Sequence, residues 1–104
     1  DKATEHCRES LDLHSQAFGV DSPGLIAHYN ALASLHAGQG DLDQAAHLAE
    51  RASELCRLHK LDRGKEAANA LYQLAGVEQQ RGDSVAAQRH FQAALTKRSA
   101  AIQF

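Results

Sequence analysis

Apolar residues recur at every third or fourth position in five stretches of this chain, separated by glycines or short polar turns. This spacing places them on one face of an α-helix. The stretches cover about residues 1–18, 23–37, 41–59, 62–81 and 83 onward. No segment alternates between apolar and polar residues for long enough to predict a strand. The pattern therefore predicts an all-α chain of five helices joined by short turns.

The boundary between the first two predicted helices rests on residues with special backbone properties. Gly19 is expected to end the first helix, because glycine accepts the left-handed conformation that follows a last helical turn. Ser22 or Asp21 can cap the second helix, and Pro23 suits its first turn. These residues predict a sharp turn after residue 18.

Aspartates are the expected caps of the three remaining helices. Asp41 follows a glycine-rich turn, and Gln44 stands three positions later, as in a capping box. Asp62 and Asp83 are the corresponding candidates before the fourth and fifth helices. A carboxylate at each position would accept a hydrogen bond from a backbone amide that the helix leaves without a partner.

The predicted inward faces are rich in alanine and leucine, which let neighbouring helices approach closely. The expected core residues are Ala45, Leu48, Ala49, Ala52, Leu55 and Cys56 on the third helix, Ala67, Ala68, Leu71, Leu74, Ala75 and Val77 on the fourth, and Ala87, Phe91, Ala94, Leu95 and Ile102 on the fifth. His36 is expected to be a packed residue of the second helix.

A glycine–aspartate turn occurs twice, at Gly40-Asp41 and Gly82-Asp83, and the two copies lie 42 residues apart. The alanines after each turn repeat the same step. An internal period of this size is typical of stacked repeats. The chain is therefore interpreted as one half-repeat followed by two complete repeats: residues 1–20, 21–61 and 62–104.

The residues around these turns resemble the tetratricopeptide repeat signature. The resemblance is carried by Tyr29, Leu32, Ala33, Gly40, Asp41, Ala45, Ala49 and Ala52, and again by Leu71, Leu74, Ala75, Gly82, Asp83, Ala87, Phe91 and Ala94. The usual period in that family is about 34 residues. The longer unit here, and the link at residues 11–23, are similar to the kinesin-light-chain type. The second link, residues 59–65, lacks the matching proline and glycine, so the resemblance does not predict its turn.

The resemblance implies a right-handed superhelical solenoid of antiparallel helix pairs, whose first helices line a concave face that binds peptides or partner proteins. On this chain the implied partner-binding residues are Asn30, Ser34, Asn69, Tyr72, Gly76, Gln79 and Gln80. None of them is basic, which disfavours the family's mode of gripping a peptide carboxylate. Asn and Gln amides can instead bond a peptide backbone, and Tyr72 offers an aromatic face.

Charge and composition exclude several other classes of function. The formal net charge of −2 gives no field that would attract nucleic acid or an anionic membrane, and no apolar run is long enough to span a bilayer. A basic cluster at Arg51, Arg57, Lys60, Arg63 and Lys65 lacks interleaved aromatics, so a solvated outer face is favoured over nucleic-acid contact.

The cysteines and histidines do not predict a chemical site. Cys7 and Cys56 are expected to be reduced, packed residues of a cytoplasmic protein, with a disulfide between them as the less favoured alternative. Cys56 and His59 could supply two metal ligands, but no second pair completes a site. No phosphate loop or nucleophile elbow is present. We therefore expect no cofactor, no metal and no enzymatic activity.

Two roles and one mode of assembly follow from the predicted architecture. The first role is a scaffold that binds a peptide or protein on the concave face. The alternative is a regulatory or sensor arm of a larger signalling or transcription-regulating protein. Self-association is also expected, through end surfaces at Ala3, Cys7 and Ser10 and at Phe91, Ile102 and Phe104.

Overall fold

The computed structural model describes residues 2–61 and 64–102, with side chains as far as Lys97. It confirms five helices and shows no strand within these residues. The helices are α1 (Lys2–Phe18), α2 (Leu25–Gly38), α3 (Leu42–Leu58), α4 (Lys65–Gln80) and α5 (Ser84–Ile102). The predicted all-α fold is therefore confirmed.

The turn between α1 and α2 is longer than the sequence indicated. Gly19 has a left-handed backbone with φ of 96°, which ends α1 as predicted. The second helix begins at Leu25, however, and not at Pro23. Pro23 and Gly24 belong to the turn, where the Ser22 hydroxyl accepts the Gly24 amide at 3.3 Å. The prediction of Pro23 in the first helical turn was wrong.

Two of the predicted aspartate caps are confirmed. Asp41 accepts the backbone amide of Gln44 at 3.3 Å, and Asp83 accepts that of Ala86 at 3.2 Å. The reciprocal half of the predicted capping box is absent, because the Asp41 amide donates to the carbonyl of His36 instead, at 2.9 Å. The third candidate, Asp62, lies outside the described residues.

The predicted core is largely confirmed. All of the expected α3 residues are buried, and on α4 only Leu74 is half-buried. Leu95 was predicted to face neighbours but is 55% exposed. The reason is that α5 contacts only α4 among the described residues, so only one stripe of its side chains is buried. The predicted Ile102 contact lies outside the described side chains.

The helices form two layers, and the helices of one layer lie closer together than those of the other. Each helix packs on the next along the chain, and α2 also packs directly on α4. Among the described residues, no Cα atom of α1, α3 or α5 lies within 8 Å of another helix of that set. Helices that meet on one side and diverge on the other form a curved stack. We call α2 and α4 the inner helices, and α1, α3 and α5 the outer helices.

Two apolar clusters lie where the inner and outer helices meet. The larger contains Leu25, Ile26 and Leu55, and the second is built around Leu32 and Leu48. Burying each such side chain stabilises the fold by about 1.5–3 kcal/mol. The remaining buried positions are alanines and, in the larger cluster, Cys56, and these small side chains keep the helix axes close.

His36 is buried near the end of α2, as predicted. Arg8 of α1 donates to its Nε2 atom at 3.3 Å, and its Nδ1 atom lies 3.5 Å from Asp41 Oδ2. An acceptor at Nε2 requires the neutral tautomer with the proton on Nδ1. The hydrogen bond from Arg8 ties α1 to α2, whereas the buried Nδ1 atom makes no hydrogen bond within the described residues.

Candidate functional site

The surface that the sequence identified lies on the two inner helices. Five of its residues are at least partly exposed. They are Ser34 on α2, and Asn69, Tyr72, Gly76 and Gln79 on α4. We call these five residues the inner face. Gln80, the sixth, is exposed at the last residue of α4. The seventh, Asn30, has a different environment.

Asn30 is buried and connects the two inner helices by hydrogen bonds. It is only 6% exposed. Its amide nitrogen donates to both the backbone carbonyl and the carboxylate of Glu66, each at 3.1 Å. Its Oδ1 atom makes no hydrogen bond within the described residues. Because the nitrogen must face these two acceptors, the oxygen has no alternative orientation that would satisfy it better.

The Asn30–Glu66 contact sets the register of the inner face. The turns between α2, α3 and α4 each reverse the chain, so α2 and α4 run in the same direction. Ser34 lies one helical turn beyond Asn30, and Asn69 lies about one turn beyond Glu66. Ser34 and Asn69 therefore lie at the same level along the paired helices, about one turn beyond the Asn30–Glu66 contact.

Tyr72 is held against the outer helix of its own repeat. Its ring lies 5.7 Å from that of Phe91, in an edge-to-face arrangement with an interplanar angle of 65°. Such aromatic pairs add about 0.5–1.5 kcal/mol beyond the burial of their area. The ring is half-buried, so part of it stays available to a bound molecule while its orientation is fixed.

Gly76 leaves an opening one turn after Tyr72. A Cβ atom built at this residue meets no other atom within 4 Å. The backbone is ordinary helix, so the absence of a side chain answers no conformational need here. Glycine in a helix interior costs about 0.5–1 kcal/mol relative to alanine. The inner face is therefore open at Gly76, where folding does not require a glycine.

A pocket that sequence reasoning missed adjoins this surface. It has a volume of about 350 Å³ and lies between the end of α4 and the start of α5. Its lining residues are Gln79, Ser84, Val85, Ala87, Gln88 and Phe91. The available signal was Val85, an apolar residue in the first turn of α5 that lies off the predicted core stripe. Its side chain is largely exposed.

The cysteines occupy packing positions, and His59 is not placed as a metal ligand. Cys56 is buried in the larger apolar cluster, and Cys7 packs half-buried against the second. His59 does not pair with Cys56 as a ligand would, because its Nε2 atom lies 2.5 Å from the carbonyl oxygen of Asp21. Across residues 2–61 and 64–102, no group of three His, Cys, Asp or Glu side chains could hold a metal ion.

None of the described helices combines the length and the apolar character that crossing a membrane demands.

Comparison with known proteins bears directly on this architecture. A model of the tetratricopeptide repeat family matches residues 1–57, which include α1, α2 and nearly all of α3. No curated protein and no solved structure matches the chain. The matched segment spans more than half of the 104-residue sequence. The chain therefore belongs to the tetratricopeptide repeat family.

Proposed function

We propose that the chain is an interaction scaffold that binds an extended segment of a partner protein across the inner face. Tetratricopeptide repeats serve in general as protein–protein interaction modules, which supports the broad assignment. The observation that supports binding at the inner face in particular is the open surface at Gly76, near the oriented ring of Tyr72. Because the helical backbone does not need a glycine at this position, we interpret the open surface as space for a bound segment.

The chemistry of the inner face favours a neutral ligand surface, such as a peptide backbone. Asn69 and Gln79 can each donate and accept hydrogen bonds, as an extended backbone requires. Tyr72 supplies a flat apolar surface at little entropic cost. None of these residues carries a charge, so a peptide carboxylate would find no basic partner among them.

Selection from a random peptide library, followed by fluorescence anisotropy, tests the proposal. Tyr72→Ala and Asn69→Ala should each weaken binding of the selected peptide at least about fivefold, which corresponds to about 1 kcal/mol. Gly76→Leu should abolish binding by filling the opening while leaving the fold intact. Ala3→Leu, at an exposed position of α1, is the matched control and should bind normally. Binding that all three inner-face variants retain would refute the assignment.

The alternative role is a regulatory arm of a larger signalling or transcription-regulating protein. Exposed apolar residues of α5, Val85 and Leu95, support it, because a further helix packed on α5 would cover them. The full-length gene tests this role. An encoded catalytic or DNA-binding domain would support it, and a stand-alone repeat array would contradict it.

The same exposed side of α5 supports self-association of the chain. Val85 and Leu95 would be buried between two copies. Light scattering at increasing protein concentration should reveal a growing mass, and Val85→Ser should reduce it. A strictly monomeric protein at high concentration would exclude this contact.

We propose a cytoplasmic location for the protein. The thiols of Cys7 and Cys56 suit a reducing compartment. Fractionation of cells that produce the tagged full-length protein checks this, and recovery from an oxidising compartment would contradict it.

A further inference from the structure

Large apolar side chains are exposed at one edge of the stack, where the outer helices α1 and α3 end. Phe18 and Val20 are 70% and 64% exposed, and Leu58 and Leu61 are 59% and 46% exposed. Single exposed apolar residues are common on soluble proteins and need no explanation. Four at equivalent ends of two successive repeats form a different kind of surface.

The link after α1 is bound to α3. Arg51 of α3 donates to the Val20 carbonyl oxygen at 3.1 Å and to the Asp21 carboxylate at 2.8 Å. His59, between the two exposed leucines, contacts the Asp21 carbonyl at 2.5 Å. The link after α1 is thereby fixed against α3. Because α1 and α3 run in the same direction, both pairs of apolar residues lie at the same end of the stack.

Basic residues surround the second pair. Residues 57–65 contain four basic residues and one acidic residue, whereas the whole chain carries a net charge of −2. Arg57, Lys60 and Lys65 are exposed, and none of them forms an ion pair with another described residue. Arg51 differs, because it already binds Asp21 and Glu54. The local surface is therefore both apolar and positively charged.

We propose that this edge is a docking surface for an acidic amphipathic segment of a partner protein. We call it the link edge, and it comprises Phe18, Val20, Leu58 and Leu61 with Lys60 and Lys65. Apolar residues of the segment cover the exposed side chains, and its Asp and Glu residues meet the two lysines. This surface is separate from the inner face and does not depend on the function proposed for it.

Charge complementarity selects a short acidic segment over an anionic membrane. Exposed charges act over about 8 Å at physiological ionic strength, so a short segment experiences mainly the basic cluster. A bilayer surface is much wider than that range and would also face the acidic remainder of a chain with 13 acidic and 11 basic residues. The segment therefore gains the local attraction without the wider repulsion.

A designed peptide tests the proposal on the full chain. The probe is a short fluorescein-labelled peptide in which Leu and Phe alternate with Asp and Glu. We expect saturable binding that weakens as salt is added, because exposed charges are screened. A peptide with Ser in place of Leu and Phe, and another with Lys in place of Asp and Glu, should not bind.

Paired variants locate the binding. Lys60→Glu combined with Lys65→Glu should weaken binding about tenfold, and Leu58→Ser combined with Leu61→Ser should do the same. Lys2→Glu and Val85→Ser make the same chemical changes at exposed positions elsewhere and should have no effect. Circular dichroism verifies that every variant is folded.

Three results would overturn the proposal. The first is binding that survives both paired variants. The second is loss of binding in the inner-face variant Tyr72→Ala, which would assign the probe to the inner face. The third is binding of phosphatidylserine vesicles through Lys60 and Lys65 when the acidic peptide does not bind, which would make the edge a membrane contact. Failure of the inner-face experiments would leave the proposal intact.

Discussion

Lys60 takes the backbone conformation that glycine provides in the preceding link. Its φ of 58° lies in the left-handed region, as does that of Gly19, at 96°, after α1. Gly19 is the first residue after α1, and Lys60 is the second residue after α3. The second link thus lacks the family's glycine but retains a left-handed turn. A lysine in this conformation costs about 1–2 kcal/mol from the approach of its Cβ atom to the backbone.

Lys60→Gly should therefore stabilise the fold. The expected gain in the free energy of unfolding is about 0.5–1 kcal/mol, because relief of the Cβ strain exceeds the entropic cost of glycine in the unfolded chain. Urea denaturation followed by circular dichroism measures it. Lys60→Ala serves as the control and should give no comparable gain, since alanine keeps the Cβ atom. A glycine variant less stable than the parent would show that the left-handed turn does not form.

Asp83 caps α5, which packs only on α4 among the described residues. Asp83→Ala should lower the free energy of unfolding by about 1 kcal/mol, because the Ala86 amide loses its acceptor. Asp12→Ala, at an exposed position inside α1, removes the same charge without removing a cap. Equal stability losses in the two variants, measured by thermal unfolding, would show that charge and not capping is responsible.

At the scale of helices, Arg51 fastens the first link to α3. The hydrogen bond with Asp21 comes first among the interactions that raise the pKa of Arg51, and the side chain of Tyr29 adds to it. The guanidinium carbon lies 6.0 Å from the centre of the Tyr29 ring. A raised pKa means that the stabilisation is present below the ordinary arginine value. It is therefore constant across neutral pH and is lost only in strong base.

Arg51→Ala should cost about 1–2 kcal/mol of stability, from a partly exposed ion pair, a cation–π contact and the hydrogen bond to Val20. The loss should be smaller at high salt, which screens the ion pair, and unchanged with pH near neutrality. Arg89→Ala, on the exposed side of α5, is the matched control. An Arg51 variant as stable as the control in chemical denaturation would show that the link is not held this way.

The local pattern of the sequence predicted the helices well, and contacts between helices account for what it did not predict. Periodicity and capping residues describe single helices, so α3 and its buried face follow from them directly. Ala70 is buried because α4 meets α2 as well as α3, which spacing along one helix cannot reveal. Leu95 is exposed because α5 has only one partner in the described structure.

Asn30 illustrates the same difference within the candidate site. The repeat pattern places it on the inner side of α2, and there the sequence argument ends. Only the position of Glu66 on another helix shows that its amide nitrogen is already engaged. The polar character of the surface was therefore predictable, whereas the division between structural and available amides depended on tertiary contacts.

At the scale of the whole molecule, curvature separates two surfaces of different chemistry. The inner helices meet and the outer helices diverge, within overall extents of 36 × 34 × 18 Å. The inner face combines uncharged amides, an aromatic ring and an opening. The link edge combines apolar and basic side chains. Two such surfaces would let one short repeat array hold two partners at once, and competition between their respective peptides would test that arrangement.

If partners bind the inner face, a bound peptide should alter the amide signals of its residues. Titration of the isotopically labelled chain with the peptide selected from the library would be followed in amide nitrogen–proton spectra. We predict that the largest shifts occur at Asn69, Tyr72, Gly76 and Gln79. Shifts confined to the outer helices, for instance at Glu50 and Arg89, with those four resonances unmoved, would contradict the account.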